Sequence, residues 1–411
     1  MHDPAHIDLA LLGARPKAIA ALLRYFRDLD IAEEAFQEAC LRALQTWPTK
    51  GPPRDPTAWL VLVGRNAALD SRRRIRATVP LPDPETLVDE HDRQVADRLD
   101  ESHYRDDILR LLFVCGHPCL PATQQIALAL RIVSGLTVEQ IARAFLASPA
   151  AIEQRITRAK RAIAEAGIEF DSPGSSERVE RLAAVMAMIY LIFNEGYGCT
   201  PDTAGARGPL ADEGIRLGRL LLSLFPAEPE VLGLQSLMLF QHSRAPARFD
   251  VTGELVLLDD QDRTLWNPTL ISEGRLLLER AGHCQNVGPY QLQAAIAALH
   301  AAAARPEDTS WKDINSLYES LEALQPSPVV TLNRAVAVWR LQGPELALGL
   351  IEPLRTVLDG YFYFHGFRGS LLKQLNRVED ARNAYQCAIA RAKSMAEANH
   401  IRRELDKLGG L

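Results

Sequence analysis

The sequence predicts an all-α protein, and three observations carry that expectation. Apolar residues recur at three- and four-residue spacing along the whole chain. Runs that alternate apolar and polar residues, the mark of half-buried strands, are almost absent. The best-defined segments also open on helix-capping residues, as in "GLTVEQIARAFLASPAAIEQRITRAKR". With 411 residues, 47% hydrophobic and 24% charged, the chain is long enough for several domains, each with its own core. No apolar run approaches the roughly 18 residues that cross a bilayer. The opening "MHDPAHIDLALLGARP" has acids where a secretory signal has bases. Cys40, Cys115, Cys119, Cys199, Cys284 and Cys387 are too scattered for a disulfide framework. A cytoplasmic chain with no membrane segment is expected.

A net charge of −6 argues against non-specific coating of nucleic acid unless the bases are segregated. They are. Arg54 to Arg76 holds six arginines against two aspartates, whereas Asp83 to Asp107 holds ten acids and three arginines. Pro80, Pro82 and Pro84 open the acidic stretch, which reads as a linker over 79–104. It divides a module at 10–78 from a second at 105–168. A further break at "FDSPGSSE" leaves a large region at 177–411.

In the first module, "DLDIAEEAFQEACLRALQTWP" places Ile31, Ala35, Ala39 and Leu44 on an apolar side, with Phe36 and Ala43 beside them. Glu33, Glu34, Gln37, Glu38 and Arg42 are left exposed. The next helix buries Trp59, Leu60, Val63 and Ala67 and ends in Arg72, Arg73, Arg74 and Arg76. Cations at a helix carboxy terminus also stabilise its macrodipole, but four exceed what that requires. In the second module, Thr137 and Gln140 form a capping box ahead of Val138, Ile141, Ala142 and Phe145. Ser148 and Pro149 then start a second helix, whose buried stripe is Ile152, Ile156, Ala159 and Ile163. Gln154, Arg155, Thr157, Arg158 and Arg161 face outward. Two short helices with a tight turn, the second basic, describe a helix-turn-helix. Gln154, Arg155 and Arg158 can reach base edges, while the remaining cations pair with phosphates.

These motifs carry a family resemblance. "AEEAFQEACLRAL", "AWLVLVGRNAALDSRRR" and the capped hairpin, in that order, resemble regions two and four of a bacterial RNA polymerase sigma factor of the extracytoplasmic-function type. The likeness covers about the first 170 residues. It implies that Asp30, Glu33, Glu34, Gln37 and Glu38 meet the β′ clamp helices of core polymerase. It likewise implies that Arg65, Asn66, Arg72, Arg73 and Arg74 hold the minus-ten element. It implies, too, that the helix bearing Gln154, Arg155, Arg158 and Arg161 reads the minus-thirty-five element, with the β flap as a further polymerase contact. Trp59 is a candidate for base stacking but has the spacing of a core residue.

In the carboxy-terminal region, two segments overlay at a shift of 34 residues. Ala335 falls on Gly369, Val338 on Leu372, Ala347 on Ala381, Ile351 on Tyr385 and Leu354 on Ala388. That period, with small residues at helix contacts, is the tetratricopeptide signature. The chain is also similar to sigma factors carrying such an extension, with "YLIFNEGY", "LLDDQDRTLW" and "GPYQLQAAIAALHA" as shared-looking stretches. Regulation in cis, or capture of a regulatory protein in a concave groove, is expected of it.

Three constellations invite chemistry. "CGHPC" lacks a fourth zinc ligand and reads as buried thiols in a helical core. "LLDDQDR" lacks the glycine and distal glutamate of a calcium loop and reads as salt bridges and helix-start charges. "FNEGYG" reads as a turn at a helix end. No phosphate-cradling loop, nucleophile elbow or paired-histidine motif is present. No catalysis, metal or cofactor is therefore expected. The competing reading is a free-standing helix-turn-helix regulator with a repeat-type sensor domain; such a protein has no use for the acidic face or the separate arginine cluster.

Overall fold

The computed structural model describes residues 4–76, 101–145, 147–166, 175–197, 201–250, 253–283, 286–392 and 395–409. Its described residues are mostly α-helical with short 3-10 turns, and the only strand-like pairing among them is an isolated bridge between Phe249 and Leu255. Two compact units divide the chain, Met1–Ile192 and Phe193–Leu411. The linker expected at 79–104 lies outside the described residues up to position 100.

The first unit begins with α1 (Pro4–Phe26), α2 (Leu29–Lys50) and α3 (Pro56–Arg76). Asp28 caps α2 by accepting from the backbone N–H groups of Asp30 and Ile31. The inner face of α2 is a row of small residues, Ala32, Ala35, Ala39 and Ala43, flanked by Phe36 and Trp47. Small side chains let α3 approach very closely. A Cβ on Gly64 would sit 2.7 Å from the backbone oxygen of Ala35, which no side-chain rotation relieves. Gly64→Ala is therefore expected to destabilise this unit by about 1–3 kcal/mol. Gly13→Ala in α1 meets nothing within 4 Å and is expected to stabilise it by about 0.5–1 kcal/mol. Urea denaturation of the two variants checks the contrast.

Leu44 departs from the expected apolar side: it is 50% exposed, as is Leu41 at 57%. Trp47, one turn on, takes the buried place instead and packs edge-on against Trp59, with centroids 5.3 Å apart. Trp59 and Val63 are half-buried rather than buried, while Leu60 and Ala67 are core.

Next come α4 (Glu101–Cys115), α5 (Ala122–Ile132), α6 (Val138–Ala144) and α7 (Pro149–Glu165). α4 packs on α1, and its fully buried Asp107 pairs with Arg24 at 3.4 Å and Arg110 at 3.4 Å. The first unit continues into α8 (Ser175–Tyr197), whose Val185 sits against Gly116, so the compact boundary falls inside this helix at Ile192.

The second unit runs through α9 (Pro201–Leu224), α10 (Pro229–Ser243), α11 (Pro268–Gly282), α12 (Pro289–Ala302) and α13 (Trp311–Leu324). It closes with α14 (Pro328–Gln342), α15 (Pro344–Ile351), α16 (Phe362–Gln374), α17 (Val378–Arg391) and α18 (Met395–Gly409). α10 is apolar on nearly every side because α9, α11 and α12 surround it. α14 and α16 begin 34 residues apart, and so do α15 and α17. Ala335, Ala347, Ala381 and Ala388 are fully buried where these helices meet, and Gly369 faces the ring of Tyr385.

The "LLDDQDRTLW" stretch is a cap assembly. Asp262 accepts from the backbone N–H of Thr264, and Asn267 caps α11. Arg263 stacks over Trp266 and donates to the carbonyls of His300 and Ala303 at the end of α12. Asp259 pairs with Arg340. In "YLIFNEGY" the helix continues through the expected turn to Tyr197. Gly196 permits this: a Cβ there would overlap the backbone of Ala211 on α9. Tyr197 stacks on Phe193 and lies beneath Arg248.

Candidate polymerase and nucleic-acid interfaces

The expected helix-turn-helix caps form as hydrogen bonds. The Thr137 N–H donates to Gln140 Oε1 at 2.8 Å, and the Gln140 N–H returns to Thr137 Oγ1 at 3.2 Å. Ser148 Oγ accepts from the Ala151 N–H at 3.2 Å, with Pro149 in the first turn. Ile141 and Ala142 are buried on α6, whereas Val138 and Phe145 are only half-buried. On α7 the buried residues are Ile152, Ile156, Ala159 and Ile163, the expected stripe.

That stripe fixes what α7 presents. Gln154, Arg158 and Arg161 are exposed, and Arg155 is half-buried. Arg161 pairs along the helix with Glu165 at 2.6 Å, both groups well exposed, which adds little stability. Lys160 points elsewhere and bonds Asp30 and Glu33 of α2, at 3.0 Å to the latter.

The acidic face of α2 is consequently split. Asp30, Glu34 and Gln37 are exposed, and Glu38 is half-exposed with Arg42 at 3.3 Å. Glu33, expected on the exposed side, is buried: its side chain retains 7% exposure. Arg131 Nε lies 2.8 Å from one Glu33 oxygen and Lys160 Nζ 3.0 Å from the other. Burial alone would lower the pKa of Lys160, but the hydrogen bonds and charges of Asp30 and Glu33 outweigh it and raise the value. Sequence reasoning missed Leu41 and Leu44, which extend the exposed stripe of Asp30, Glu34 and Gln37 at helical spacing. The signal was there in the period, but Leu44 fitted the apolar side equally well.

On α3, Arg65 is half-buried with its guanidinium over the exposed ring of Tyr25, 5.7 Å from the centroid. Asn66 is half-buried beside it in sequence. Arg72, Arg73 and Arg74 fall in the last turns of α3, and their side chains lie outside the described residues.

"CGHPC" is a locked turn. The Cys119 N–H donates to His117 Nδ1 at 3.2 Å, and Gln125 donates to the carbonyls of Gly116, His117 and Leu120. Cys115 is fully buried, which pushes its thiol up to about 12. Cys119 is exposed, contrary to the expectation of two buried thiols. Among the described residues no group of three or more His, Cys, Asp or Glu could hold a metal, and no helix is long and apolar enough to cross a membrane.

Comparison with known proteins settles what these parts are. Residues 13–78 match the model of Sigma-70 region 2, and residues 112–163 match Sigma-70, region 4. The chain is a sigma-70 factor of extracytoplasmic-function-like type with a carboxy-terminal extension. Part of that extension, residues 181–282, matches a family of unknown function, DUF6596. An uncharacterized protein of Rhizobium meliloti (strain 1021) is 62% identical over 410 residues, covering 99% of this sigma factor and 97% of that protein. Regions 2 and 4 are DNA-binding and polymerase-binding elements, so the sigma factor serves transcription initiation with core RNA polymerase and promoter DNA as partners.

Proposed function

We propose that this sigma factor directs core RNA polymerase to its promoters in the cytoplasm through three surfaces, with a helical extension that regulates it. The exposed stripe of α2, from Asp30 through Glu34, Gln37 and Glu38 to Leu41 and Leu44, docks on the β′ clamp helices. Arg65, Asn66, Arg72, Arg73 and Arg74 hold the minus-ten element as its strands separate. The outer face of α7 reads the minus-thirty-five element through Gln154, Arg155 and Arg158, with Arg161 on phosphate; region 4 also meets the β flap. The observation that carries the reading is the ordered pair of regions 2 and 4, with a doubly capped helix pair presenting Gln154 and Arg158 to solvent. Chemistry belongs to the polymerase; the sigma factor binds and positions.

Arg155→Ala is expected to cost about 1–3 kcal/mol on the cognate upstream element and to leave a scrambled element nearly unaffected. Competition binding of the holoenzyme to the two sequences measures the difference. Equal weakening would restrict Arg155 to phosphate contact.

The extension, residues 177–411 as read from sequence, we take as a tetratricopeptide-like domain that regulates in cis or receives a regulatory protein. The 34-residue repeat of α14 to α17 and their small buried contacts support this. Because Val185 packs on Gly116, the informative truncation follows Tyr197 rather than the break at "FDSPGSSE". Transcription that rises in the truncated protein indicates masking, and transcription lost with folding retained indicates bracing. Unchanged transcription and polymerase binding would make the extension an independent module.

A further inference from the structure

Region 4 occupies part of the very face that region 2 is proposed to offer to the polymerase. Both oxygens of Glu33 are taken, one by Arg131 on α5 and the other by Lys160 on α7. Lys160 also bonds Asp30, the first residue of the docking stripe. From the other side, Arg15 of α1 donates to the carbonyls of Ile132 at 3.1 Å and Arg131 at 3.0 Å, at the end of α5. Its stem lies against Gly135, whose positive φ of 76° turns the chain toward α6. A second ionic link, Arg24 to the buried Asp107, joins α1 to α4.

We infer that this contact is an autoinhibitory latch: Arg131 and Lys160 hold region 2 closed, and core polymerase must displace them to use Asp30 and Glu33. The inference rests on the proposed docking role of the α2 face. Three features make the contact releasable rather than part of a permanent core. The bonds of Arg131 and Lys160 to α2 are ionic. They border an open cleft of about 360 Å³ lined in part by Asp30, Glu33, Arg131, Glu153, Lys160 and Arg161, and the Asp30 end of the contact is exposed to water. The neighbouring Glu34, Gln37, Leu41 and Leu44 stay exposed, leaving a foothold for the polymerase before the latch opens. Lys160 is set apart from the outward Gln154 and Arg158, so one helix serves two states: its inner cation closes the free protein, and its outer face remains available to DNA. A latch that leaves a tenth of the molecules open weakens apparent affinity by about tenfold.

The test uses the full chain with Arg131→Gln and Lys160→Gln together, which keep a polar head group but remove the charges. Small-angle scattering reads compactness, and titration with core polymerase in the absence of DNA reads affinity. The latch predicts a larger radius of gyration and binding about tenfold tighter. Unchanged compactness, or opening without tighter binding, overturns it. If the double variant loses its helical circular dichroism, Arg15→Gln decides the matter, since it removes the α1 bonds to the same junction and leaves every region 4 residue unchanged. Glu34→Lys, outside the latch, is titrated in parallel. Loss of polymerase capture by Glu34→Lys alongside unchanged Gln variants refutes the latch and keeps the docking face. Retained capture by Glu34→Lys refutes the docking face itself.

Discussion

Replacing Arg72, Arg73 and Arg74 together with alanine is expected to abolish promoter-dependent transcription while leaving the helical circular dichroism intact. The three arginines close α3 at its carboxy terminus, where cations contribute about 0.3–1 kcal/mol each to the helix. That loss is small beside the core of the first unit, in which Ala32, Ala35, Ala39 and Leu60 are fully buried. The electrostatic loss on DNA is far larger. Each phosphate contact contributes roughly 0.9 to the slope of log K against log salt on duplex and roughly 0.7 on single strands. Three lost contacts should flatten that slope by about 2 to 3. Abortive and run-off transcription across a salt series, with the holoenzyme at fixed concentration, measures both effects. Full activity in the triple variant would remove these arginines from promoter opening.

Charge reversal at Glu34 and Glu38 is expected to weaken capture of core polymerase by about a hundredfold, because juxtaposed like charges cost several kcal/mol at an interface. Folding should survive. Glu34 is exposed, and Glu38 is half-exposed and pairs with Arg42 of its own helix. Reversal at Glu33 is a poor substitute, since it would strand Arg131 and Lys160 and confuse docking with the region 2 to region 4 contact. Pull-down of core polymerase with the Glu34→Lys, Glu38→Lys protein tests this. Unchanged capture would move the docking surface off α2.

Local rules made the helix-turn-helix legible. Thr137, Gln140, Ser148 and Pro149 each act within three residues of themselves, and the hydrogen bonds form as their spacing requires. The stripe of α7 was equally readable, because four apolar residues at helical spacing admit a single buried face. Glu33 was not readable. Its partners lie 98 and 127 residues away, and no periodicity on α2 announces that a second module will cover it. Leu44 failed for a related reason. Where α2 is packed through alanines, a large residue on the border of the stripe goes to whichever side has room, and Trp47 fills the inside. Gly64 and Gly196 give no sign in sequence that backbones pass within contact of them. In the carboxy-terminal unit the 34-residue shift was visible because the small residues repeat; the cap assembly around Asp262, Arg263 and Asn267 was visible only as a charge cluster.

The most direct test of the account is reconstituted transcription with purified core polymerase, with and without this protein, on a genomic library of promoter fragments from its source. The account predicts discrete transcript starts that require both components, and no sequence-specific duplex binding by the protein alone. Specific duplex binding without polymerase, together with no protein-dependent starts, would contradict it.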